Sequence, residues 1–227
     1  MAEDRPTSRM FAGMPWGTII AVVVVAVIGA VLWVTLGSRS SGDDQQAASD
    51  ASSDPAGDIP GVVEIEYPAG DHVEAPKRVA YDQSPPFGGT HDQIWATCTG
   101  VVYPTAIRSE NAVHSLEHGA VWITYNPDVA TADQIDVLSA MVEGQPYTLM
   151  SPYPGLDTPI SIQSWGHQLK LDDPSDPRLV EFIEALRLNE SAYPEPGASC
   201  ASPSFDVNNP PPFDPNPPGP DAAPVTE

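Results

Sequence analysis

Residues 109–125 read Ser109-Glu-Asn-Ala-Val-His-Ser-Leu-Glu-His-Gly-Ala-Val-Trp-Ile-Thr-Tyr125, and their reading decides the fold class. Ser109 is a residue type that opens helices and Gly119 one that closes them, so 109–119 predicts a short helix. Ala120–Tyr125 is rich in branched and aromatic residues and stops at Asn126-Pro127, which predicts a strand. Downstream, Thr131-Ala-Asp-Gln134 matches a capping box, opening a helix with Ile135, Leu138 and Met141 on one face and Gly144 as its stop. Tyr147–Met150 and Ile160–Trp165 predict two further strands, and upstream Val62–Tyr67 another. Asp176-Pro177 starts a second main helix, with Leu179, Phe182, Ile183 and Leu186 as its buried stripe. This order predicts an α+β domain: a small mixed or antiparallel sheet, two main helices and the short histidine-bearing helix.

The segments outside that domain differ in composition. Trp16–Leu36 holds 21 residues without a charge; at ~1.5 Å per residue it reaches about 31 Å, the hydrocarbon thickness of a bilayer. It predicts one transmembrane helix, with residues 1–15 cytoplasmic because Arg5 and Arg9 precede it and only Arg39 follows. A cleaved signal peptide would have a shorter apolar core and a small-x-small site, which Val34-Thr-Leu-Gly-Ser38 fits poorly. Residues 37–60, small, polar and acidic, predict a disordered tether. Nine prolines in 201–227 predict an extended, disordered tail. The domain proper is therefore expected at 61–200, outside the cytoplasm. With 31 acidic against nine basic residues, and a charge of −22, the chain repels phosphate backbones and excludes nucleic acid as a partner. The membrane and a membrane-protein partner are the partners expected.

Two cysteines, Cys98 and Cys200, lie near the two ends of the domain. In an oxidising compartment they predict a disulfide, and their isolation argues against Cys-x-x-Cys redox exchange. All five histidines fall in the domain. On a helix His114 and His118 project from one face and can chelate a metal, with Glu117 beside them as an outer orienting group. The stiff turn Pro85-Pro-Phe-Gly-Gly-Thr-His91 can deliver a third imidazole, and Met150 a thioether. A set of His91, His114, His118 and Met150 favours copper over zinc, because the thioether is a soft ligand. His72 and His167 are expected as surface or capping groups. His114-Ser-Leu-Glu-His118 also spells the H-x-x-E-H string of zinc peptidases, whose long site helix Gly119 would cut short. No phosphate loop, dinucleotide fingerprint or Ser-His-acid order is present, so no organic cofactor is expected.

The strings Pro85–His91, Trp95–Cys98 and Glu110–Tyr125 closely resemble a bacterial family, common in actinobacteria, numbered as domain of unknown function thirty-one hundred and five. The resemblance continues through Leu149–Pro154, Ser164–Gly166 and Pro194-Glu-Pro-Gly-Ala198 with Cys200. It implies a single-pass membrane protein with the domain outside the cytoplasm. His91, His114, Glu117, His118, Met150 and both cysteines fall on positions typical of that family, whereas His167 does not. The expected function is a membrane-anchored domain that binds a metal ion, copper before zinc. A non-catalytic interaction module of a membrane complex and a zinc-dependent hydrolase are the competing readings.

Overall fold

A computed structural model of the chain describes residues 54–226, which lie in one compact unit. The apolar run 16–36 and most of the acidic tether lie outside the described residues, among which no helix is long and apolar enough to cross a membrane.

The architecture is α+β. Among the described residues three helices, α1 (Ser109–Glu117), α2 (Ala132–Val142) and α3 (Arg178–Leu186), accompany ten strands. Six of these form the main sheet: β1 (Val63–Glu64), β5 (Thr99–Val102), β6 (Val121–Tyr125), β7 (Thr148–Pro152), β8 (Ile160–Ser164) and β9 (His167–Leu171), in the order β1-β9-β8-β6-β7-β5. The sheet is mixed. β5, β7 and β6 run parallel, and β6, β8, β9 and β1 pair antiparallel. Parallel neighbours need a crossover, and α2 supplies the one between β6 and β7. Its predicted capping box is present: Thr131 accepts the Gln134 N–H, and the Gln134 side chain accepts the Thr131 N–H.

Side chains alternate across a strand, and here both faces are covered. Val121, Ile123, Ile160, Ile162 and Leu169 pack under α2 and α3, against Leu138, Leu179 and Phe182. Trp122 and Leu149 point the other way, against Leu116 and Ala112 of α1, Phe87 and Trp165. Eight of the nine α1 residues are buried, polar ones included. Several bond to the neighbouring segment: Asn111 donates to Ile94 O (2.7 Å), Ser115 to Ala96 O (2.7 Å), and Ala96 N–H to Asn111 O (2.9 Å). Buried polar groups paired in this way fix one geometry for the chain segment beside the helix.

Two strands of the main sheet, and the four two-residue strands outside it, are not among those the sequence predicts. β9 follows β8 through the tight turn Trp165-Gly166, with Gly166 at φ +72°, a conformation glycine adopts without strain. β5 is interrupted at Gly100 (φ +80°), where its register with β7 shifts. The strand expected over Val62–Tyr67 is reduced to two exposed residues at the sheet edge. Ser109 is the first helical residue of α1, with Arg108 at the cap position and no side-chain cap bond.

The proline-rich tail differs from the coil expected for it. Phe205 stacks edge-on against Tyr103, and Phe213 packs on Tyr153 with ring centroids 4.8 Å apart. Arg78 ties it down through Asp214 (3.0 Å) and Asn216 O (2.8 Å). Its end, β10 (Ala223–Pro224), runs parallel to β3 (Val79–Ala80). Proline bars a chain from interior ladders but leaves it free to lie on a surface with its apolar side chains as anchors. The tether also ends sooner than position 60: Ala56 is fully buried, and Asp54 Oδ1 lies 2.9 Å from His167 Nε2.

Candidate metal centre

His72 and His91 are opposite partners in a short parallel ladder between β2 (His72–Val73) and β4 (His91–Asp92). α1 packs against β4 and presents His114, with Glu117 three residues on. At ~100° per residue, Glu117 lies about 60° to one side of His114 and His118 about 40° to the other. His72, His91, His114 and Glu117 consequently converge, their donor atoms all within 4.8 Å of one another. The rings of His91 and His114 are 4.5 Å apart, those of His72 and His91 4.8 Å. His91, His114 and Glu117 are buried at 0 %, 4 % and 1 % exposure, while His72 is exposed and offers an ion its way in.

The hydrogen bonds assign the tautomers. A carbonyl oxygen can only accept, so His91 Nδ1, 2.8 Å from Gly89 O, carries the proton. His114 Nδ1, 2.6 Å from Asp92 O, does likewise. Each Nε2 is left with its lone pair directed inward, the arrangement that orients metal-binding imidazoles. The carbonyls are themselves held. The Asp92 carboxylate pairs with Arg108, and the Thr90 N–H beside Gly89 donates to Val225 O of the tail (2.8 Å).

Glu117 Oε2 approaches His91 Nε2 to 2.9 Å, yet among the described residues neither atom has a hydrogen-bond partner. With the neutral ring's proton on Nδ1, Nε2 and Oε2 both offer lone pairs, and a metal ion suits their spacing. Donors about 2.0–2.1 Å from an ion, at angles of 90–110°, are about 2.9–3.4 Å apart. The other carboxylate oxygen, Oε1, accepts the Gly70 N–H at 2.6 Å. The exposure of His72 leaves its ring free to adjust on binding. These residues can hold a metal ion.

Burial, and after it the neighbouring His91, push His114 down from 6.5 to about 3. Burial also lowers His118, against the pull of its Ser199 bond and of Glu195. For Glu117, burial acts upward but His91 and the Gly70 N–H outweigh it, so the carboxyl lies below its ordinary value. Between pH 6.5 and 3 an unfolded chain binds a proton at His114 that the fold refuses. The metal-free protein should therefore lose stability on acidification, by about 1.4 kcal/mol per pH unit from His114 alone. Glu117, depressed in the fold, adds a loss of the same sign once the pH passes below the unfolded carboxyl's range. Urea midpoints at pH 7, 5.5 and 4.5 check this; a flat profile would contradict it.

The sequence-predicted set is only partly assembled. His91 and His114 meet as expected, and Glu117 joins them as a donor rather than an outer orienting group. His118 turns away: its Nδ1 donates to Ser199 O (2.9 Å) and its Nε2 faces Glu195 (3.3 Å). Met150 is corrected outright. It is fully buried beneath α2, on the opposite sheet face from α1, where its sulfur accepts from Ser139. Strand parity decides this, since Leu149 takes the α1 side. His72, expected as a surface group, joins the cluster while remaining exposed, and no local spacing announces it. His167 binds Trp165 O and Asp54, away from the cluster. Cys98 and Cys200 form the expected disulfide, Cα atoms 4.8 Å apart.

In the cluster of His72, His91, His114 and Glu117 the H-x-x-E-H string is arranged differently from that of zinc peptidases. There both histidines bind one ion and the glutamate stands free as base. Here Glu117 sits among the donors and His118 outside them.

No curated protein and no solved structure matches the chain. The family described as protein of unknown function (DUF3105) matches residues 72–202, from the first of the four clustered residues to just beyond the disulfide, and the chain belongs to that family.

Proposed function

We propose that this domain binds one divalent transition-metal ion through His72, His91, His114 and Glu117, on the outer side of a membrane to which residues 16–36 anchor it. The observation that carries the reading is the buried opposition of His91 Nε2 and Glu117 Oε2, 2.9 Å apart and without hydrogen-bond partners among the described residues. Two lone pairs held face to face in a low-dielectric interior ask for positive charge between them. Three imidazoles and a carboxylate, with no sulfur among them, suit Zn²⁺ or Cu²⁺. Preference for Cu⁺ would need a thioether, and Met150 lies across the sheet. The Cys98–Cys200 disulfide supports an oxidising compartment, and the 21-residue uncharged run supports the anchor.

The test is elemental analysis of the full chain, purified without an affinity tag, followed by titration with Zn²⁺ and Cu²⁺. Uptake of one tightly held equivalent is expected. A folded chain that takes up neither ion overturns the reading.

A further inference from the structure

The motif Pro194-Glu-Pro-Gly-Ala198 has no part in the site above, yet it is pinned over the C-terminal end of α1. Glu195 N–H donates to Glu117 O (3.2 Å), and the Tyr147 hydroxyl to Ala198 O (2.8 Å). The Cys98–Cys200 bond anchors the segment immediately beyond. The motif returns two groups to the helix. Ser199 O takes the Nδ1 proton of His118, and the Glu195 carboxylate stands 3.3 Å from His118 Nε2. His118 thus repeats the pattern of His91: Nδ1 committed to a carbonyl, and a proton-free Nε2 facing a carboxylate. Its ring is 4.6 Å from that of His114, and the donor atoms of His114, His118 and Glu195 all lie within 4.8 Å of one another.

We infer that His114, His118 and Glu195 form a second, outer site for a divalent transition-metal ion. This rests on the proposed function for the class of ion, and on its own geometry for the site. The Glu195 side chain is 46 % exposed, so the outer site meets solvent directly. His114 belongs to both groups, but its Nδ1 is taken by Asp92 O, leaving one nitrogen to give. Only one ion can hold that nitrogen at a time. Binding at the two sites is therefore negatively coupled, and exchange on His114 gives an ion a route between the outer and the buried position. With the inner site filled, the outer one keeps two protein ligands and solvent.

Titration of the full chain with Co²⁺, followed by visible absorption, tests this. In the parent a second equivalent should bind at least tenfold more weakly than the first. Glu195→Gln, isosteric and at a half-exposed position, should leave the first affinity within twofold and weaken the second at least tenfold. In a His72→Ala background, where the inner site is short of one exposed ligand, the same substitution should weaken the first equivalent at least tenfold. Glu195→Gln without effect in either background overturns the outer site while leaving the inner one intact. Loss of the tight equivalent in the parent, with a Glu195-dependent one remaining, overturns the inner site and leaves the outer. No Co²⁺ uptake at all overturns both.

Discussion

Glu117→Gln should weaken metal binding at least a hundredfold while leaving the metal-free protein as stable as the parent, or more stable by about 1 kcal/mol. The two effects have opposite signs for one reason. The carboxylate is 1 % exposed and directs a lone pair at the lone pair of His91, an arrangement that favours a cation and penalises its absence. The amide keeps a carbonyl for the Gly70 N–H and brings an N–H₂ that can donate to His91. A net gain near 1 kcal/mol is what one buried hydrogen bond contributes. The neutral amide is also a much poorer ligand for a divalent ion. If Glu117 were instead the structural partner of a charged His91, removing its charge would strand a buried imidazolium and cost about 3–5 kcal/mol. Chemical unfolding of both metal-free chains, beside a Zn²⁺ titration, separates the cases. A strongly destabilised variant that binds Zn²⁺ as the parent does would show that the cluster is structural.

Replacing Cys98 and Cys200 together by serine should lower stability by about 4 kcal/mol. The bridge spans 102 residues, and closing a loop of ~100 residues contributes up to about 4.7 kcal/mol in the chain-entropy model. For a unit of this size that corresponds to a fall in melting temperature of roughly 8–16 °C. A local consequence should accompany the global one. Cys98 N–H donates to Cys200 O (3.0 Å), and Ser199 next door supplies the carbonyl that orients His118. Loosening this segment should impair His118 and Glu195 more than His91 and His114, whose carbonyls come from Gly89 and Asp92. A melting temperature within 3 °C of the parent would sink the prediction.

What could be read along the chain was whatever the chain states locally. Periodicity and end signals located α1, α2 and α3, although only α2 has a side-chain cap bond, and the run of branched residues located β6. The apolar anchors Phe205, Phe213 and Val225 stand in the tail, but its proline content speaks only to regular structure, not to whether the chain packs on the domain. β9 also carries a signal, the alternation His-Gln-Leu-Lys-Leu after a Trp-Gly turn, just beyond the strand predicted to end at Trp165. The helix angle of Glu117 relative to His114 follows from ~100° per residue and put the carboxylate within reach, though not on one side or the other.

By itself the sequence determined the α+β class, the three helices, the cysteine pair, and that His114, Glu117 and His118 share one end of a helix. These depend on periodicities and caps that act within a few residues. Only the tertiary structure decided which groups meet. His72 joins His91 through a ladder two residues long, Met150 falls on the far face by the parity of one strand, and His118 turns to Glu195 instead of His91. Each of those outcomes is fixed by long-range packing around α1, whose registers and facings no short window of residues contains.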